Sequence, residues 1–279
     1  MSSAEELYKK VVEDIKNNAI KLPILPDVAM KVHALLDNPR SNITDVVKVI
    51  SLDAAISARL IQIANSPLFR GRNPIEDLQT AVMRLGNSMV RSIVTVMLVE
   101  ESHQAKSPLI QDRISKLWKH NTQVAALSYV LARNYTSLRP DEAMLAGLLH
   151  DIGILPLLEY AADYPELINN EPVLNAVLRK AHPLVGKMIL ASWSFPQSFI
   201  DVAAKHEDLS HKSELLPELV DVVIVANLHS TVSASGPRPK TSWTEIPAFQ
   251  TLGLTPEESL KSLKNAGDEI KEIMRLLKA

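Results

Sequence analysis

Apolar residues recur at three- and four-residue spacing along almost the whole chain, and no stretch alternates with period two long enough to need a sheet. That pattern predicts an all-α protein. Aromatic residues are sparse at 4%, whereas Leu, Ala, Val and Ile are plentiful. Thin aliphatic side chains suit helix-on-helix packing. The chain of 279 residues is long enough for a large core in one or two domains.

The spacing predicts helices over 5–19, 27–36, 43–50, 54–64, 75–85 and 89–99 in the first part, with Asp27 as an N-cap. Gly86 stands where a left-handed residue after a helix is expected. Later helices are predicted over 110–135, from Pro140 to His150, and over 156–162, 173–180, 183–193, 197–205 and 216–230. Residues 233–247, rich in Pro, Ser and Gly, read as a loop or flexible arm. A final amphipathic helix starts from a capping box at Thr255 and Glu258. The expected organisation is an N-terminal helical half (1–108), a second helical half (109–232), and an arm with its C-terminal helix (233–279).

Several function classes are excluded. A net charge of −2 with scattered basic residues gives no electrostatic footprint for nucleic acid. Cysteine is absent, so there is neither a disulfide framework nor a thiolate metal site. None of the eight glycines forms a GxGxxG or P-loop pattern, and no GxSxG elbow occurs. No run reaches about 18 uninterrupted apolar residues, and the amphipathic N-terminus lacks a signal-peptide core, so no membrane association and a cytoplasmic location are expected. The arginines at 70, 72, 84 and 91 are available for a small nucleotide ligand; the plainer reading is a solvated loop and two helix faces.

The chemistry concentrates in the second half. His120 lies mid-helix. The adjacent pair His150 and Asp151 follows an apolar helical run. His182 precedes Pro183, and His206 with Glu207 ends another helix. Asn227 sits inside an apolar helix. One histidine on an apolar helix is ordinarily a hydrogen-bonded core residue. Four histidines and an aspartate on separate helices of one half are placed to converge, as ligands do inside helical bundles. With no thiolate, such a site suits a divalent Fe, Mn, Mg or Zn ion. His33, His103, His211 and His229 have no evident partners and are read as structural or solvated.

His120, the Leu148-Leu149-His150-Asp151-Ile152-Gly153 run, His182-Pro183 with Gly186, and His206-Glu207 resemble the motifs of the HD superfamily of metal-dependent phosphohydrolases and its HD-GYP branch. Leu22-Pro23-Ile24-Leu25-Pro26, the segment from Ser57 to Phe69, and Thr80 to Gly86 narrow the likeness to the HDOD domain, the HD-related output domain of bacterial signalling proteins. The resemblance spans roughly residues 15–230. It implies a helical HD-like half with an added N-terminal helical half, a signalling role through protein partners or a small ligand, and metal ligands at His120, His150, Asp151, His182, His206 and Asn227. It also implies little or no catalysis, because parts of the phosphohydrolase pattern are missing. Asn227 stands where a catalytic HD site has an aspartate, Ile154 where the HD-GYP branch has a lysine, and Lys205 where it has another histidine. The Gly-Tyr-Pro signature is replaced by Asp208-Leu209-Ser210. The alternative is a metal-dependent phosphohydrolase, with Asp151 at its centre.

Overall fold

The computed structural model describes residues 4–17, 19–69, 71, 73–102, 107–233 and 242–277, and among these no strand occurs. In chain order the first helices are α1 (Ala4–Lys16), α2 (Asp27–Asp37), α3 (Ile43–Ile50), α4 (Ala54–Ala64) and α5 (Leu78–Ser102). Then come α6 (Pro108–Tyr135), α7 (Pro140–Leu149), α8 (Ile154–Ala161), α9 (Pro165–Ile168) and α10 (Glu171–Ser192). The last are α11 (Gln197–Lys205), α12 (Leu219–Ser233), α13 (Pro247–Thr251), α14 (Pro256–Asn265) and α15 (Gly267–Leu277). The all-α reading holds. His103, Arg70 and Arg72, and most of the predicted arm, fall outside the described residues.

Two compact units divide the chain: Met1–Ile24 with Gln104–Leu263, and Leu25–His103 with Lys264–Ala279. This cuts differently from the sequence-based division at 108 and 232, because both ends of the chain are tied to partners distant in sequence. In the first unit, Tyr160 donates a hydrogen bond to Asp14, and Lys180 pairs with Glu5 at 2.5 Å. Trp193 donates its indole N–H to the Pro23 carbonyl at 3.0 Å. These bonds hold the first 24 residues to α8 and α10. In the second unit, Arg59 donates to the Leu276 carbonyl at 2.9 Å, which anchors α15 to α4.

In the first unit α6 packs on α7 and α12, and α10 packs on α1, α8 and α11. Helices α7 and α12 are apolar around most of their circumference and lie buried, as a central helix must. The window over Pro140–Ala161 is apolar and long enough to cross a membrane, yet 83% of it is buried inside the protein, as is 61% of Leu78–Val99. Burial of this kind marks core helices. The sequence pattern splits residues 173–193 at Pro183, but α10 runs straight through. Proline removes one helix donor. The apolar face of Leu174, Val177, Leu178, Ala181, Val185 and Ile189 is buried on both sides of it, and that packing outweighs the lost bond.

In the second unit, Asn42 and Asp45 form a reciprocal capping box at α3, and Asp53 caps α4 through Ala55 and Ile56. Asp27 is the first residue of α2 rather than its cap: Pro26 holds the cap position, and no side chain bonds there. The Asp27 carboxylate instead sits in the positive first turn. Gly86 takes φ 76° with ψ 165°, which kinks α5 instead of ending it. The positive φ suits glycine, but the ψ is extended rather than left-handed helical. Arg84 is directed to the Asn73 carbonyl, and Arg91 pairs with Asp37. The C-terminal segment, predicted as one helix, is two, α14 and α15, separated at Ala266. Its Thr255–Glu258 capping box forms as read.

Candidate metal centre

Four helices deliver the polar residues of the first unit's interior. His120 comes from the middle of α6 and His182 from α10. His206 follows the last residue of α11, and His150 with Asp151 follows α7. The turn after α7 is tight: Ile152 N–H donates to the Leu149 carbonyl and Ile154 N–H to that of Asp151. Gly153, whose backbone is ordinary helical, lets this turn approach α10 closely. A Cβ there would lie 2.2 Å from the His182 carbonyl oxygen and 2.5 Å from the Gly186 nitrogen. The turn carrying the His-Asp pair is thus seated directly on α10.

Backbone carbonyls orient the imidazoles. His150 Nδ1 donates to the Gly147 carbonyl at 2.7 Å, His182 Nδ1 to Leu178 at 2.9 Å, and His206 Nδ1 to Val202 at 3.0 Å. A carbonyl only accepts, so each of these rings carries its proton on Nδ1 and presents a bare Nε2. His120 follows the same logic. Ser230 Oγ donates to the Asn227 carbonyl at 2.7 Å and stands 3.3 Å from His120 Nδ1, from which it accepts. Ordered second partners of this kind are what metal-ligating histidines have.

The four Nε2 atoms then meet in pairs. His120 and His150 approach to 3.2 Å, and His182 and His206 to 3.0 Å. Two unprotonated nitrogens at that distance repel; a cation between them turns the contact attractive. Asp151 stands between the pairs and offers one oxygen to each. Its Oδ1 lies 3.2 Å from His182 and 3.2 Å from His206; its Oδ2 lies 3.4 Å from His150 and 3.6 Å from His120. The result is two triads that share a carboxylate, His120–His150–Asp151 and Asp151–His182–His206, with the donor atoms of each within 4.8 Å of one another.

Electrostatics match this geometry. Burial pushes His150 down to about 3, and it pushes His120 down as well, so both are neutral and available as ligands near neutral pH. Burial alone would raise Asp151, yet His150 and His182 hold its carboxyl well below the usual carboxylate range. Burial also opposes protonation of His182, but the adjacent Asp151 charge and hydrogen bond outweigh it and raise its pKa.

Asn227 stands one turn before Ser230 on α12, and its Oδ1 is buried with no hydrogen-bond partner. Its backbone carbonyl is linked through Ser230 to His120, and His with carboxylate and amide oxygen is a donor set for a divalent first-row ion. The residues present therefore fit a metal. Ser230 escaped the sequence reading, since a serine gives no signal until its helix is placed against α6.

A cavity of about 350 Å³ opens at the cluster and is lined by His120, Asp151, His182 and Glu207. Leu117, Ile154, Leu158 and Leu178 line its apolar wall. Arg113, Lys116 and Arg179 line it too, and none of them was singled out in the sequence. The other histidines are elsewhere. His33 bonds to Thr95 at 2.8 Å and His229 to Ser259 at 2.7 Å, both buried; His211 stands 3.8 Å from Glu218.

The sequence profile of the HDOD domain matches residues 22–209, more than half of the chain. Among solved structures, a candidate metal-dependent phosphohydrolase of Shewanella amazonensis SB2B is 28% identical, with a TM-score of 0.85 and all of both chains covered. An HDOD domain protein of unknown function from Geobacter sulfurreducens is 21% identical, with a TM-score of 0.70 over 98% of this chain and 99% of that one; at that identity it speaks for the fold alone. An uncharacterized protein of Treponema pallidum (strain Nichols) is 24% identical over 78% of this chain, which spans only 44% of that relative's length.

Proposed function

The chain belongs to the HDOD family, and from that premise we propose that it is a regulatory module that holds a divalent metal and acts by binding a ligand or protein partner, with little or no turnover. The observation that carries this is the facing of bare Nε2 atoms at 3.2 Å and 3.0 Å across a shared carboxylate. Six side chains would hold the metal: His120, His150, Asp151, His182, His206 and Asn227. When bound, a metal in such a site supplies Lewis acidity and lowers the pKa of bound water. The chain's own residues account for the rest of the reading. Backbone carbonyls fix the tautomers, Asp151 serves both triads, and Ile154 leaves the wall apolar where a phosphohydrolase of the HD-GYP pattern has a cation. Asn227 lacks the charge of an aspartate, which lowers affinity for a divalent ion.

The second reading, a metal-dependent phosphohydrolase, is supported by the open cavity over the cluster and by the likeness to the Shewanella protein. Elemental analysis of protein purified without chelator, followed by assay of a generic phosphodiester with added manganese or iron, separates the two. Bound metal without turnover is expected. Turnover that is lost in Asp151→Ala would replace the first reading with the second, and protein free of metal would overturn both.

A further inference from the structure

The cavity's cations lie along two helices, while its carboxylates, Asp151 and Glu207, come from outside them. On α6, Arg113, Lys116, Leu117 and His120 share one face, being three, four and seven apart. On α10, Asn175, Leu178, Arg179 and His182 repeat that spacing. Each helix thus carries a histidine of the cluster and, towards its N-terminus, the cations. At about 1.5 Å per residue, Arg179 lies about 4.5 Å, Lys116 about 6 Å and Arg113 about 10 Å along the axis from its own histidine. Arginine and lysine side chains span such distances.

These cations have uneven commitments. Arg113 donates to Asn175 at 2.9 Å and to Glu171 at 3.1 Å, which holds its guanidinium across the cavity from α6 to α10. Among the described residues Lys116 pairs only with Asp112, in an exposed helical pair. Arg179 makes no hydrogen bond or ion pair among the described residues. Exposed pairs of this sort are worth little and exchange readily for a better anion. Leu117, Leu158, Leu178 and Ile154 line the same cavity, and they suit an organic group rather than a bare ion. A volume of about 350 Å³ is at the small end of the roughly 300–1,000 Å³ typical of small-molecule sites, so one compact ligand fits and a large dinucleotide does not.

We propose that Arg113, Lys116 and Arg179 form an anion clamp that seats the phosphate of a small phosphate monoester above the histidine–aspartate cluster, its organic part lying on the apolar wall. The clamp takes over, from two other helices, the charge that Ile154 does not supply. The proposal rests on reading this cavity as the module's ligand site. Isothermal titration of the full chain with phenyl phosphate tests it, both as purified and after chelator treatment. Phenyl phosphate is expected to bind in both states, more tightly than inorganic phosphate or benzoate, and more weakly as salt rises. Arg179→Gln, at an exposed position with no hydrogen bond or ion pair to lose among the described residues, is expected to weaken binding about tenfold with an unchanged melting temperature. No binding, or binding equal in Arg179→Gln, overturns the clamp. Benzoate binding as tightly as phenyl phosphate overturns the phosphate class. Metal content measured on the same preparations judges the metal reading separately, so the two fail independently.

Discussion

Two kinds of buried histidine occur in this protein. His33 and His229 each face one hydroxyl, on Thr95 and Ser259, and burial pushes both down to about 4. Thr95 Oγ1 donates to the Arg91 carbonyl, so it accepts from His33 and the pair is satisfied. His120, His150, His182 and His206 are also buried or nearly so, but their Nε2 atoms face one another and the shared Asp151 carboxylate. A solitary histidine in a core is closed by its neighbours. The four are organised by their neighbours so that something more is needed. What separates a structural histidine from a candidate ligand is thus the atom opposite Nε2, not burial or helix position.

The largest effect that can break this contrast is removal of Asp151. Asp151→Ala takes one donor from both triads and the carboxylate that all four imidazoles approach. Metal content is expected to fall below a tenth of the wild-type value. Loss of a buried charge partner also costs on the order of 3–5 kcal/mol in stability, read as a denaturant midpoint. Retention of stoichiometric metal in Asp151→Ala would mean that the cluster is held without its shared carboxylate. Close behind comes the chelator test. A ligand at about 1,000 times its Kd stabilises by about 4 kcal/mol, so chelation should lower the melting temperature of the wild type by many degrees. His182→Ala should melt at the same temperature with and without chelator. His33→Ala should keep the full chelator response, although it lowers both melting temperatures.

Gly153→Ala ranks next. Its Cβ would meet backbone atoms of α10, which cannot step aside as a flexible side chain would. Displacing the turn from α10 costs on the order of 2–3 kcal/mol by overpacking and pulls Asp151 from His182 and His206, so metal affinity should fall with stability. Gly86→Ala is the control: it is strained through its positive φ alone, in the other unit, and should lower stability with no change in metal affinity.

The helices were largely legible because an apolar face repeats every three or four residues whatever the tertiary structure. The His-Asp pair was legible through its neighbours Gly153 and Ile152. What escaped depends on partners far along the chain. Pro183 looks like a helix break until the apolar faces on either side of it are seen buried together. Residues 1–24 read as part of the N-terminal half until Asp14 and Glu5 meet Tyr160 and Lys180. Arg113, Lys116 and Arg179 are unremarkable charges in sequence; only the pairing of α6 and α10 around one cavity gives them a common target.

The smallest predicted effect sharpens the other side of the contrast. His33 and His229 titrate near 6.5 when unfolded and about 4 when folded. Their folded pKa is depressed, so between those values the unfolded chain binds more protons and stability rises with pH. The contribution is complete above about pH 6.5 and is lost as pH falls towards 4, at about 1–3 kcal/mol for each histidine. Metal ligands also release their ion on protonation, so the measurement belongs on chelator-treated protein. In that state His33→Gln should flatten the decline of the denaturant midpoint between pH 6.5 and 4 without altering the melting difference that metal makes at pH 7.5. Thr95→Val removes the hydroxyl that accepts from His33 and should cost about 1–2 kcal/mol at neutral pH. A decline as steep in His33→Gln as in the wild type would show that His33 is already charged in the fold, and the distinction between a closed core histidine and an open ligand histidine would then fail at this position.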